Sequence, residues 1–214
     1  MQSVVAVALV VVAVFPSTAT ADEKTPDTAN ERPYSDGPLT PGDFRGPIPK
    51  EPPPHTQAVT EVAFRWKTEY RYTTLNGSTV AKLTRVTFHA MVQRDKSWNM
   101  RKDDRYLLSH EQGHFDISQM HAIEMELKLT HVIHDGKPLI GKGPDVAAAA
   151  RDLEDKVRAF AETEAAVHRE RQVKYDAATD GGALVQKQLD LQQEQAAELK
   201  ALFSQLEKSR TKPK

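Results

Sequence analysis

From Val62 to Tyr72 apolar and polar residues alternate along the chain. Val62, Phe64, Trp66, Thr68, Tyr70 and Tyr72 share one side of a period-two repeat, and Arg65, Lys67, Glu69 and Arg71 share the other. That pattern predicts a strand with one apolar and one charged face. Asn76-Gly77 follows, the strongest short signal for a tight hairpin. Val86, Phe88, Ala90 and Val92 then alternate again, with Leu83 out of phase, so the second strand should carry a bulge or a break near Thr84. From about 103 to 131 the period lengthens, and Leu107, Met120, Ile123 and Leu127 form a helical stripe. Gly136, Pro138, Gly141, Gly143 and Pro144 mark a loop. A second helix over about 145–176 carries Leu153, Val157, Phe160 and Ala161, and Asp180-Gly181-Gly182 breaks it. A third, over about 183–208, carries Leu184, Val185, Leu189, Leu199, Leu202, Phe203 and Leu206 among many Gln and Glu residues. The expected fold is α+β: a long antiparallel β-hairpin or small sheet, an active-site helix of zincin type, an antiparallel second helix and a C-terminal helix.

The N-terminal part reads differently. Val4 to Phe15 is wholly apolar and ends near Ala19-Thr20-Ala21, a small-x-small cleavage pattern. The run is short for a hydrocarbon core of ~30 Å. Residues 1–21 therefore read as a signal peptide, which implies a secreted or periplasmic protein with no stable membrane span in its mature form. The leader lacks Lys and Arg, and a retained N-terminal anchor is the alternative. Nine prolines fall between Pro26 and Pro54. With few apolar residues to offset ordering entropy, 22–57 reads as an extended or disordered linker. The domain of interest is then 58–182, with the C-terminal amphipathic helix and tail over 183–214.

Composition narrows the chemistry. The net charge is −1, with both signs interspersed, which argues against a nucleic-acid partner. The chain has no cysteine, so any transition metal must be held by His, Asp or Glu. Within the first helical segment stands His110-Glu111-Gln112-Gly113-His114. Residues four apart share a helix face, so both imidazoles can reach one zinc ion at ~2.0–2.1 Å. Glu111, one residue round, faces the open side of the ion, where it can take a proton from water and pass it to a leaving amine. This is the logic of the H-E-x-x-H zinc peptidases; the alternative is a solvated helix that happens to carry two histidines. Gly113 costs about 1 kcal/mol relative to Ala in a helix, which is reasonable if another group must approach closely.

The stretch HEQGHFDI, with Lys96-Ser97-Trp98 and Leu107-Leu108 before it, resembles a bacterial family of predicted secreted zinc-dependent proteases, long catalogued as a domain of unknown function. The resemblance spans roughly 58–182. It includes Tyr175-Asp176-Ala177-Ala178-Thr179-Asp180-Gly181-Gly182, similar to that family's Tyr-Asp-x-x-Thr-x-His-Gly segment, with Gly181 at the histidine position. The resemblance implies a zinc-dependent peptidase acting on a peptide or cell-envelope substrate.

Catalytic zinc normally takes three protein ligands and a water, and HEQGH supplies two. If the first two helices fold back about residue 138, positions 110–114 face 163–167. Glu164 is then the leading third ligand and His168 the second choice. Asp176 and Asp180 are further options, because an irregular segment can return over the site. Tyr175 is a candidate oxyanion donor or a packed aromatic. Asp116 is a candidate partner of a ligand imidazole or a solvated residue. His121 is too far along the helix to share the ion. The function expected is hydrolysis of peptide or amide bonds with His110, His114 and a third ligand on Zn2+ and Glu111 as general base. The rival is a catalytically inactive relative acting as a cell-envelope binding or structural module.

Overall fold

In the computed structural model, residues 12–14, 29–53 and 56–211 are described. The fold is α+β. Strands β1 (Val12–Val14), β2 (Glu31–Pro33), β3 (Ala58–Val59), β4 (Val62–Leu75), β5 (Ser78–Gln93), β6 (Trp98–Asn99) and β7 (Ile140–Gly143) accompany helices α1 (Arg105–His134), α2 (Val146–Thr179) and α3 (Val185–Thr211). One sheet runs β1-β4-β5-β2, with β7 also on β5, and β3 pairs with β6 apart from it. Apart from Val12–Val14, whose backbone pairs in parallel with Val62–Phe64, the expected signal peptide and its cleavage point lie outside the described residues.

The β4–β5 hairpin forms as the alternation predicts. Asn76 and Gly77 both take positive φ, 51° and 74°, the backbone that a two-residue hairpin turn requires. The register slips between Glu69, opposite Arg85, and Tyr70, opposite Leu83. Thr84 is therefore the extra residue, and its hydroxyl donates to the Glu69 carbonyl at 2.9 Å. Asp104 caps α1 by accepting from the Tyr106 and Leu107 amides, and Asp145 caps α2 through the Ala148 amide, each satisfying donors the first turn leaves open.

Val62, Phe64, Trp66, Val86, Phe88 and Val92 on the sheet meet Phe115, Ala122 and Met125 of α1 and Leu153, Val157 and Ala161 of α2. A smaller cluster joins Ile117, Met120 and Ile123 of α1 to Tyr175 of α2 and Leu199 and Leu206 of α3. α3 is thus part of the packed unit. Among the described residues no helix is long and apolar enough to cross a membrane.

The proline-rich segment departs from expectation. The described part of 22–57 is packed rather than a disordered linker: β2 pairs with β5, and Leu39 and Phe44 are buried. Arg32 donates to the carbonyls of Asp36, Gly37 and Pro38 and lies 3.5 Å from Asp43, which also accepts from Arg94. Asp43 closes a capping box with Thr40. The Leu39 amide donates to Gln112 and the Tyr34 hydroxyl to Asp116, both on α1. Prolines preset φ and reduce the entropy of ordering, and polar contacts with α1 and β5 supply what apolar content lacks.

Candidate metal centre

α1 and α2 run antiparallel, and three pairs of residues spaced by four meet across them. His110 faces Asp176, His114 faces Gln172, and Ser118 faces His168. Spacing by four keeps each set on one helix face, so the seam is a buried polar ladder. Its first two rungs bring three metal-ligating side chains together. His110 Nε2 lies 3.1 Å and His114 Nε2 3.0 Å from Asp176 Oδ1, and the two Nε2 atoms are 3.1 Å apart. Ligand atoms ~2.0–2.1 Å from a tetrahedral ion stand about 3.3 Å from one another, so the three atoms fit a single ion with a small outward relaxation. His110, His114 and Asp176 are the metal-ligating group found among the described residues.

The far side of each imidazole is occupied. His114 Nδ1 is 2.6 Å from Gln172 Oε1 and His110 Nδ1 is 3.5 Å from the Thr179 hydroxyl. An amide oxygen only accepts, so His114 carries a proton on Nδ1; its Nε2 donates to Asp176 in the metal-free protein and would offer its lone pair to an ion once that proton is lost. The Gln172 amide nitrogen is spread over the His114 carbonyl at 3.0 Å, Ser118 Oγ at 3.1 Å and His168 Nε2 at 2.9 Å.

Electrostatics agree with a site built for positive charge. Burial opposes the charged form of His114, but the hydrogen bond and charge of Asp176, with Glu111 and Gln172 behind them, outweigh it and raise its pKa to about 9. Burial likewise opposes the Asp176 carboxylate, yet hydrogen bonds from His110 and His114 hold its pKa below the usual range. Without an ion, a proton shared with Asp176 does the ion's work, and metal uptake must displace it.

Glu111 is buried next to the centre, where Thr60 Oγ1 donates to its Oε2 at 2.6 Å. Thr60 precedes β4, and the segment is braced from behind: the Glu61 amide donates to Ser97 and the Gln93 amide to the Glu61 carbonyl. Tyr175 stacks on His110 at 5.0 Å and meets His114 edge-on at 5.1 Å. A Cβ on Gly113 would stand 2.2 Å from the Tyr175 hydroxyl, so the group that needs this glycine is Tyr175. The hydroxyl lies against the α1 backbone, which makes Tyr175 a packing residue rather than an oxyanion donor. After α2, Asp180, Gly181 and Gly182 all take positive φ, and the turn folds Gly182 back onto His110, where an added Cβ would come within 3.2 Å of the ring.

The expected third ligand is corrected. Glu164 is not at the centre; it pairs with Lys128 farther along the helices. His168 is fully buried but bonds Ser118 and Gln172 and packs on Phe64 and His121. The register is the cause: 110–114 face 172–176 rather than 163–167, because the connection is not a plain turn about 138 but contains β7, which is drawn off to pair with β5. Asp176, a further option in the sequence, stands beside His110 and His114, and Asp180 caps the helix instead. Asp116 accepts from Tyr34 and Gln112 and touches no ligand imidazole. Thr60, Gln172, Ser118 and Thr179 were not foreseen; the recurrence of polar residues at 168, 172 and 176 on a helix was the available signal for Gln172.

Comparison of the chain with protein-family models, with curated proteins and with solved structures returned no match.

Proposed function

We propose that the protein is a zinc-dependent hydrolase of peptide or amide bonds, with His110, His114 and Asp176 holding the metal and Glu111 as general base. One observation carries the reading: three ligand atoms converge within 3.1 Å on the helix that bears HEQGH, with the outer nitrogens of both imidazoles turned away onto hydrogen-bond partners. Two imidazoles and one carboxylate are a donor set that zinc accepts, and three protein ligands are the number a catalytic site uses. The bound ion supplies Lewis-acid activation of water and of the scissile carbonyl. The rest is the work of the chain. Thr60 occupies Glu111 Oε2, leaving Oε1 to receive a proton from water and return it to the departing nitrogen. Asp176 adds negative charge, and Tyr175 fixes both imidazole planes. The leader and the resemblance to secreted zinc-dependent proteases support action outside the cytoplasm, on peptide or cell-envelope material.

A specific observation favours a second reading, an inactive relative serving as a structural or cell-envelope binding module. His110, Glu111, His114 and Asp176 are 1–3% exposed, and closed sites are typical of structural zinc. Gly181, where the resembling family carries histidine, points the same way. Catalysis would require the turn at 180–184 or the Thr60 segment to move.

The purified protein should be assayed for zinc and for cleavage of denatured casein and of mixed peptides, beside Glu111→Gln. Stoichiometric zinc in both, with cleavage lost in Glu111→Gln, is the result expected. Zinc in both and no cleavage in either would leave the structural reading. No zinc in either would remove the metal altogether.

A further inference from the structure

His168 belongs to no ligand set, yet it is fully buried next to one. It sits on the third rung of the polar ladder, edge-on to Phe64 at 5.2 Å and beside His121 at 5.3 Å. Its Nε2 faces two groups, Ser118 Oγ at 3.0 Å and the Gln172 amide nitrogen at 2.9 Å. In this orientation of the amide the Gln172 nitrogen donates and His168 Nε2 accepts.

We propose that His168 is a positioning residue that sets metal affinity through Gln172, fixing which way the Gln172 amide points and so which nitrogen of His114 is offered to the ion. This rests on the reading of His110, His114 and Asp176 as a metal centre. The Gln172 side chain has two possible orientations differing by a half-turn of its amide. In the observed one the oxygen accepts from His114 Nδ1, while the nitrogen serves the His114 carbonyl and His168. In the other, the nitrogen would donate to His114 Nδ1. That would force the proton onto Nε2, the atom aimed at Asp176, and block coordination. The His114 carbonyl takes one amide hydrogen, and His168 takes the second. Ser118 Oγ, which gives its own proton to the His114 carbonyl at 2.9 Å, keeps lone pairs and is a second, longer acceptor at 3.1 Å from the Gln172 nitrogen, against 2.9 Å for His168. Phe64 and His121 hold the His168 ring in the plane this needs.

The test is titration of the metal-free protein with Co2+ and then Zn2+, read by the cobalt visible spectrum and by competition. His168→Phe, His168→Asn, Gln172→Met and the Phe/Met double variant are measured beside the parent, each checked for a cooperative unfolding transition. Loss of an outer-shell partner weakens metal binding roughly 10- to 100-fold, and His168→Phe should fall at the lower end. His168→Asn retains an acceptor and should stay within about threefold of the parent, on the same scale. Gln172→Met should lose affinity, and adding His168→Phe to it should change nothing more, because residues acting through one contact are not additive. Parent-like affinity in His168→Phe overturns the proposal, as does full additivity with Gln172→Met. Should His168→Phe not fold, the Asn variant decides: retention supports the role and a tenfold loss overturns it. A parent that binds neither metal overturns the metal centre itself, and this proposal with it.

Discussion

Replacing Gly113 by alanine sets two calculable effects against each other. Alanine is better than glycine in a helix interior by about 1 kcal/mol, and Gly113 lies well inside α1. On an open face the change would stabilise the protein. Here the new Cβ meets the Tyr175 ring, with the hydroxyl at 2.2 Å, Cζ at 2.4 Å and Cε1 at 2.9 Å. Carbon contacts are comfortable at about 3.5 Å or more, so the ring must retreat by roughly 1 Å. It cannot swing freely, because it is stacked on His110 and packed among Ile117, Met120 and Leu199. Overpacking of this kind costs about 1–3 kcal/mol, and a ring held on both faces belongs at the upper end. Net of the helix gain, the variant should be less stable by about 2 kcal/mol, a fall in Tm of about 4–8 °C for a chain of this size. Tyr175 adjoins Asp176, so its retreat also moves a proposed ligand, and metal affinity should drop along with stability. The assay is thermal unfolding of the metal-free protein together with Zn2+ titration. Tyr175→Leu should absorb much of the effect in a double-mutant cycle. A Gly113→Ala protein with raised Tm and parent-like affinity would refute the packing of Tyr175 on Gly113, and with it the account of why this motif carries glycine.

Three further outcomes follow from the same geometry. Asp176→Ala should abolish stoichiometric zinc binding while Glu164→Ala retains it, as measured by metal content after dialysis; the opposite pair of results would restore the hairpin register that places 110–114 against 163–167. Thr60→Val should leave Glu111 without its buried donor, lowering stability by about 1–3 kcal/mol; an unchanged denaturation midpoint would remove Thr60 from the site. In the metal-free protein His114, raised from 6.5 to about 9, contributes stability that is complete below pH 6.5 and lost as the pH rises through about 9. His168, lowered from 6.5 to about 3 by burial and by the neighbouring His121, His114 and arginine charges, subtracts stability as the pH falls below 6.5. Urea midpoints should therefore decline on both sides of about pH 6.5, and a profile flat from 6.5 to 9 would show that His114 and Asp176 are not coupled as the geometry requires.

What could be read in advance follows from where the information sits. The hairpin was legible because a period of two, an Asn-Gly turn and the phase of Leu83 are local, and each has one structural solution; even the extra residue at Thr84 follows from them. The HEQGH helix was legible for the same reason, since both histidines lie on a single element. Asp176 was not, because its partnership with His110 depends on how α2 slides along α1, and that is decided by β7 pairing with Thr79–Lys82 of β5. No local pattern reports a pairing so far away in the chain. The segment from 29 to 53 misled for a related reason. Its order comes from single polar anchors, Arg32, Asp43, Tyr34 and the Leu39 amide, whose partners are the segment's own carbonyls, Arg94, Asp116 and Gln112. Composition counts apolar residues and is blind to anchors of this kind.

The ladder between α1 and α2 also bears on why the two helices carry polar residues where a core would otherwise be. A buried polar group costs free energy unless its partners are in place, and apolar packing of the same shape would do as well or better for stability alone. Six residues of this seam, His110, His114, Ser118, His168, Gln172 and Asp176, are buried. Their bonds run in one direction: His168 and Ser118 meet Gln172, Gln172 meets His114, and His114 and His110 meet Asp176. The chain of contacts ends on two imidazole Nε2 atoms and a carboxylate oxygen within 3.1 Å of one another. A seam evolved for stability would have no reason to converge. Binding of the proposed cation at that point would supply the missing term, since a ligand that binds the folded form alone adds about 2.7 kcal/mol at a hundredfold excess over its Kd. That is enough to offset a seam that is marginal without it.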